Sequence, residues 1–535
     1  MYENHKPLTI NVISDLHYYA KQVGISGAEF EKANSKSQCD LKNCEEILEA
    51  LARQLEKDND TDIVLVSGDV TSNAEPASHE GVINLFKKMK EHGKRVYVIT
   101  ATHDYRDDNK TNQYTGDGVI RIDTAPRENL WDMYYEFGPN EAISVHRESM
   151  SYVVQLADGY RLFALNDDKN NNNSSGFSED CFQWITEQVE DAKKNGQFII
   201  PMTHHPMIAP SPFYKIIAGS NMMGDCEKRR NQFADMKVPF MLTGHTHMQD
   251  ISYSYSPNGN IFYDITTAAP VGFPGTYRKL TVDPANDVVH VKAMDITEKP
   301  DFDIGDKTVK QHLSNKFFGM ITELIDAAAT DIPKLARMVT SFSVSPKLIY
   351  KIGWLIKPIA KLLRGLKIKT AAKLCKKESG LSPADYKDIG NEKVIDFIIS
   401  LIVNLYGGDS PYFPDTAYSK ITLGICSIID SIMDAVGIKL SKLIKNATSV
   451  SDLVEPLLFN DGIPDADAEL KLYMNSKAPT DETPPKPKIK KSRKGKGIIA
   501  TVVIVTVLLL PIILIYLLFG FLINSIKYHK EISGK

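Results

Sequence analysis

Five short, β-branched apolar runs in this chain each end at or beside a residue that can bind a metal ion or carry a proton. Leu8–Ser14 leads into Asp15-Leu16-His17, and Asp62–Ser67 into Gly68-Asp69. Arg95–Thr100 leads into Thr102-His103-Asp104, Phe198–Thr203 into His204-His205-Pro206, and Pro239–Thr243 into Gly244-His245-Thr246-His247. Runs of this length, bounded by polar or turn residues, read as buried strands. Sheets of this kind hold ligands beyond the carboxyl ends of their strands. Of thirteen histidines in the chain, six fall in these stretches. One loop histidine is usually a hydrogen-bonding residue, but six at strand ends with aspartates between them point to a metal site. Asn166-Asp167 is a weaker sixth stretch of the same kind, equally readable as a turn.

The segments between these strands carry helical spacing. One helix is expected around Cys44–Lys57 and another over Glu80–His92, ended by Gly93, with Ser78-His79-Glu80 at its start. That rhythm predicts a largely parallel sheet flanked by helices. Tyr152–Leu156 and Arg161–Leu165, joined across Asp158-Gly159, read as a hairpin. Tyr277–Val282 and Val288–Asp295 read as another, closing an N-terminal domain of residues 1–300. Residues 105–150 lack a clear period and read as an insertion beside the site, and Asn170–Ser175 as a solvated loop.

Taken in order, Asp15-x-His17, Gly68-Asp69, His103-Asp104, His204-x-Pro206 and Gly244-His245-x-His247 resemble the calcineurin-like metallophosphoesterases over roughly residues 8–296. The resemblance implies a sandwich of β-sheets flanked by helices. It implies that Asp15, His17 and His247 hold one metal ion, that Asp69 bridges two, and that His204 and His245 hold the second. His204 is preferred to His205 because the family ligand sits two residues before the proline. His103 would protonate the leaving oxygen or contact the phosphate, and Asp104 would orient it. Thr102 stands where the family usually has an asparagine ligand, so the second site would be filled by a shorter, weaker donor. The implied reaction is hydrolysis of a phosphate mono- or diester by a metal-bridging hydroxide. Imidazole with carboxylate suits Mn, Fe or Zn, divalent or trivalent, better than Ca or Mg. The rival expectation is a catalytically silent membrane scaffold that keeps the fold; Thr102 is the residue that favours it.

The C-terminal part differs in character. Residues 301–475 place apolar side chains at helical spacing, as in Phe317, Ile321, Leu324 and Ile325, and in Ile395, Phe397, Ile398 and Ile402. A second helical domain is expected there. From Ile332 to Lys377 there are twelve Lys or Arg and no Asp or Glu, interleaved with apolar residues. Such a surface suits anionic lipid, at about 1 kcal/mol per basic residue. It carries too few aromatic residues for stacking on bases, so no nucleic-acid partner is expected. Residues 476–497 read as a Pro/Lys-rich linker. Ile498–Ile523 runs 26 residues without a charge, about 39 Å of helix against a hydrocarbon core of about 30 Å. A transmembrane helix is expected there, with residues 524–535 as a short tail. The heavier basic flank, Lys486 to Lys496, places the large N-terminal part in the cytoplasm. Six irregularly spaced cysteines without a CxxC read as reduced, mostly buried thiols of a cytosolic protein.

Overall fold

The computed structural model describes residues 2–170, 174–211, 214–215, 219–338, 346–435, 448–459 and 463–479. The expected strands form two facing sheets. In the first, β1 (Leu8–Ile13), β2 (Ile63–Ser67) and β3 (Arg95–Ile99) run parallel. A small hairpin follows, β4 (Lys110–Thr115) and β5 (Gly118–Asp123), inside the segment read as an insertion. The second sheet begins with β6 (Ala142–His146), β7 (Ser151–Ala157) and β8 (Tyr160–Ala164). It continues with β9 (Phe198–Met202), β10 (Phe240–Thr243), β11 (Asp250–Tyr255) and β12 (Ile261–Thr266). β13 (Thr276–Asp283) and β14 (Val288–Asp295) return to the first sheet as an antiparallel hairpin. The strand orders are β15-β14-β13-β1-β2-β3 and β11-β12-β10-β9-β8-β7-β6, where β15 is Asp467–Lys471.

Both sheets are therefore mixed, rather than one largely parallel sheet. The parallel neighbours β1-β2-β3 and β8-β9-β10 are joined by helical crossovers, β12 reaches its place beside β10 through β11, and antiparallel hairpins extend the edges. Period-two alternation explains how the second sheet is covered on both faces. Tyr160, Leu162 and Ala164 of β8, with Phe240 and Leu242 of β10, join the core shared with β1, β2 and β3. Phe163 and Met241 point the other way, into a core made with Phe182, Ile185 and Val189 of Glu179–Lys194 and Phe233 of Cys226–Asp235. The helix expected over Cys44–Lys57 spans Cys44–Glu56. The one expected from Glu80 begins earlier, at Pro76, because proline suits a first helical turn.

Residues 301–475 are mainly helical, as expected, with Val309–Thr330, Pro346–Gly365, Val394–Gly407, Ala417–Ala435 and Val450–Leu458 as the longer helices. Phe317, Ile321, Leu324, Ile325, Ile395, Phe397, Ile398 and Ile402 are buried. The all-helical expectation fails at its end. β15 pairs with β14 over five residues, from Val288 opposite Lys471 to Lys292 opposite Asp467. Its short alternating pattern, Asp-Ala-Glu-Leu-Lys, becomes a strand only because the free edge of β14 supplies the partners. The fully buried Arg278 of β13 binds the two regions together: its guanidinium donates to the carbonyls of Thr266, Asp250 and Asp465 at 2.8–3.0 Å.

No helix among the described residues is long and apolar enough to cross a membrane. The expected transmembrane helix, Ile498–Ile523, lies outside the described residues, as do residues 480–497 of the linker and the short tail 524–535. All six cysteines are free, and five of them are buried.

Candidate metal centre

The strand ends of the two sheets meet at one edge, and their loops are zipped together by backbone hydrogen bonds. Asp15 N donates to the Gly68 carbonyl, His17 N to that of Asp69 and Tyr18 N to that of Val70, each at 3.0 Å. Gly244 N donates to the His204 carbonyl at 3.0 Å. Asp15, His17, Asp69, His245 and His247 all have positive φ, between +41° and +67°. Such a backbone costs a non-glycine residue roughly 1 kcal/mol or more and persists only where its surroundings over-determine it. Here the surroundings do so: both Asp15 carboxylate oxygens accept from His245 N at 2.9–3.1 Å, and Ser14 Oγ donates to Oδ2 at 2.6 Å.

The two motif glycines are required by space. A Cβ on Gly244 would lie 1.9 Å from Ser14 Oγ and 2.4 Å from Asp15 Oδ2. A Cβ on Gly68, whose φ is +103°, would lie 2.6 Å from His204 Nδ1. Either side chain would push apart residues that must converge.

The structure brings Asp15, His17, Asp69, His103, His204, His245 and His247 together, all buried. His17 Nε2 and His247 Nε2 are 2.8 Å apart, and Asp15 Oδ1 lies 3.8 Å and 3.4 Å from them. On the other side, His204 Nε2 lies 3.1 Å from Asp69 Oδ2 and 3.2 Å from His245 Nδ1. Asp69 belongs to both clusters: ligating atoms of Asp69, His17 and His103 lie within 4.8 Å of one another, and so do those of Asp69, His204 and His245.

The hydrogen bonds fix which nitrogens face inward. A carbonyl only accepts, so His204 Nδ1–H donates to Ser67 O at 2.8 Å and His103 Nδ1–H to Ser72 O at 2.7 Å. In neutral His204 the Nε2 lone pair would then face a carboxylate oxygen that has no aligned donor. Only a proton or a cation relieves that contact. Without a cation, burial lowers the His204 pKa, but the neighbouring Asp69 carboxylate more than offsets this and lifts it to about 10. Burial raises Asp69 and Asp15, yet the surrounding imidazoles hold both well below the usual carboxylate range. Burial drives His245 well down, reinforced by His205 and His204, so it stays neutral with the lone pair of one ring nitrogen available. These residues fit a cation, which would take the place of the proton on His204 beside ionised carboxylates aimed at common points.

Three of the expected positions have partners that the sequence alone does not give. Asp104 grips the loops rather than the His103 ring: its carboxylate accepts from Val70 N, Thr71 N, Thr71 Oγ1 and Ala101 N at 2.8–3.3 Å. The ring is held by Ser72, so Asp104 acts on it through the backbone. Thr102 Oγ1 donates to Asp69 Oδ1 at 3.4 Å, beside the stronger bond from His103 N at 2.8 Å. Asn166-Asp167 is more than a turn: Asp167 Oδ2 accepts from His205 Nδ1 at 2.9 Å, and burial of Asp167 is outweighed by His205, which lowers its pKa. The His205 ring stacks obliquely on His245, with centroids 4.4 Å apart. Sequence spacing could not show that pair, since 38 positions separate its members.

His79, read as a helix-start residue, is buried under the site. Its Nε2–H donates to the Asp104 carbonyl at 3.1 Å, which leaves Nδ1 to accept from Tyr134 OH at 2.8 Å. Burial pushes its pKa down to about 4 from 6.5, against the opposing Asp104 bond. Above pH 6.5 neither folded nor unfolded His79 is charged; between 6.5 and 4 only the unfolded chain binds the proton. Stability is therefore expected to fall as pH drops through that window, by up to about 3 kcal/mol from this group. Urea unfolding of the native protein and of His79→Gln across the window checks this: the variant should show the shallower slope, and equal slopes would refute the assignment.

Residues 8–249 match the family model described as calcineurin-like phosphoesterase. No curated protein matches the sequence. Solved structures that the chain matches include a dimetal phosphatase from Danio rerio, 12% identical, covering 54% of this chain and 97% of that one with a TM-score of 0.39. A predicted phosphoesterase from Streptococcus pneumoniae is 13% identical, covering 55% of this chain and 94% of that one, with a TM-score of 0.22. A 5'-nucleotidase precursor from Thermus thermophilus is 9% identical, covering 60% of this chain and 59% of that one, with a TM-score of 0.27.

Proposed function

We propose that this chain, which over residues 8–249 belongs to the calcineurin-like phosphoesterases and is a metal-dependent phosphoric ester hydrolase, works with two metal ions on a phosphate mono- or diester. The observation that carries the two-ion reading is Asp69, buried between two separate sets of converging ligand atoms. Asp15, His17, Asp69 and His247 would hold one ion. Asp69, His204 and His245 would hold the other, with Thr102 beside it. Mixed imidazole and carboxylate donors suit Mn, Fe or Zn. When bound, the ions supply Lewis acidity, activating water and neutralising charge on the phosphoryl oxygens.

The protein's own groups do the rest. His103 keeps Nδ1–H on the Ser72 carbonyl, so Nε2 is the atom that carries a proton to the leaving oxygen. The Asp69 carboxylate lies beside this histidine, accepting from His103 N at 2.8 Å. Asp104 holds the two loops in register, so His103 and Asp69 keep their separation.

Hydrolysis of an aryl phosphate and a bis-aryl phosphodiester, with added manganese and bound metal quantified, tests the reading. Activity abolished by chelation supports it. An inactive protein with one bound ion would favour the silent-scaffold alternative. Thr102→Asn places a carboxamide oxygen where the hydroxyl now reaches Asp69, and should tighten the second ion roughly 10- to 100-fold. An unchanged metal isotherm would mean that position 102 is not a ligand.

We also place the catalytic part on the cytosolic face of a membrane, anchored through Ile498–Ile523. Support comes from helix Pro346–Gly365, whose exposed stripe of Tyr350, Trp354, Lys357 and Lys361 suits an anionic lipid surface. Trp354 is 77% exposed, which is unusual for so large an apolar ring. Membrane fractions should retain the protein through alkaline extraction and leave the catalytic part open to protease from the cytosolic side. Release into the alkaline supernatant would refute the anchor.

A further inference from the structure

We infer that Cys39 is an additional ligand to the ion held by Asp15, His17 and His247, resting on the two-ion reading above. A sulfur atom of Cys39 and one nitrogen each of His17 and His247 lie within 4.8 Å of one another, all three residues being buried. A common ion with bonds of about 2.3 Å to sulfur and about 2.0–2.1 Å to nitrogen sets its donors roughly 3.5–4.4 Å apart, depending on the angle. The three atoms lie within 4.8 Å of one another, with the His17 and His247 Nε2 atoms closer than that spread at 2.8 Å, so the sulfur is within reach of an ion shared with the two rings.

A second feature of this cluster is independent of the thiol. His17 Nε2 and His247 Nε2 face each other at 2.8 Å, and His247 Nδ1 has no hydrogen-bond partner although the residue is 1% exposed. Whichever nitrogen of a neutral His247 carries the proton, one buried polar atom of the ring is left unsatisfied. A cation among His17, His247 and Asp15 would take both Nε2 lone pairs, each ring then carrying its proton on Nδ1.

The thiol is held there by its backbone. Cys39 forms an antiparallel bridge with Gly272, its N–H donates to Ser37 Oγ at 3.1 Å, and Asp40 N donates to the Val271 carbonyl at 2.7 Å. Gln38 Nε2 donates to Tyr406 OH at 3.1 Å, tying this loop to the helical region. On metal binding the thiol loses its proton to solvent and the sulfur forms the new bond as a thiolate. A thiolate is a soft donor, so the site would favour zinc or iron over manganese.

Full-length protein, stripped of metal and titrated with cobalt(II), tests this without relying on activity. The native protein should develop a thiolate-to-cobalt charge-transfer band in the near ultraviolet alongside the visible d–d bands. Cys39→Ser should lose the former and keep the latter. Cys39→Asp, which retains an anionic donor, should do the same and guards against a serine variant that fails to fold. Cys44→Ser, altering the neighbouring buried thiol, should keep both. Removing Cys39 should also weaken zinc roughly 10- to 100-fold more than manganese. Visible d–d bands with no thiolate band in the native protein would overturn the role of Cys39 while leaving two-ion binding intact. Failure to bind any cobalt would overturn the two-ion reading itself, and this inference with it.

Discussion

Asp69→Asn is expected to lower kcat/KM by roughly a thousandfold or more, about 4 kcal/mol of transition-state stabilisation, with loss of bound metal. The change is nearly isosteric. Oδ1 can still accept from His103 N, so the loop that carries Thr102-His103-Asp104 stays in place. What changes is the atom facing the second cluster. Oδ2 now lies 3.1 Å from His204 Nε2 with no aligned donor. An NH2 there would donate to His204 and occupy the lone pair meant for a cation. The one carboxylate that, among the described residues, belongs to both clusters would also lose its charge. Metal analysis and steady-state kinetics on native and variant protein measure both effects. A variant with two ions and native kcat/KM would show that Asp69 does not bridge.

His103→Gln is expected to cost roughly 10²- to 10⁴-fold in kcat on esters of poorly leaving alcohols, and much less on esters of acidic phenols. A phenolate leaves without a proton, so removing the donor matters little to it. An alkoxide does not, and the proton on Nε2 is then decisive. Because Nδ1 is committed to the Ser72 carbonyl, glutamine can keep that anchor through its amide while supplying no titratable proton. Comparing rates across leaving groups isolates the effect. Equal losses on both classes would assign His103 to phosphate contact rather than proton transfer.

β1, β2, β3, β9 and β10 were legible because each couples an apolar run to a ligand-type residue at its end, whereas β4, β5, β6, β11 and β12 carry no such mark and were not legible as strands. Helix Val394–Gly407 was legible because apolar spacing alone marks it. β15 was not. Asp-Ala-Glu-Leu-Lys has no strong preference of its own and pairs only because the edge of β14 lies open beside it. Helix Pro76–Glu91 was begun too late because buried His79 resembled a polar helix start.

The site divides along the same line. Residue type and order determined which groups can bind a cation: Asp15, His17, Asp69, His103, His204, His245 and His247 are metal-ligating or proton-carrying wherever they fall. Their convergence, the left-handed backbone at five of them, and the direction each imidazole nitrogen faces were decided by the fold. So were the His205–Asp167 pair and the placing of Cys39 beside His17 and His247. Composition and spacing act over a few residues, whereas these contacts join positions up to 230 apart. Only the packing of two sheets face to face, with their strand ends along one rim, brings such distant side chains within bonding reach of a common ion.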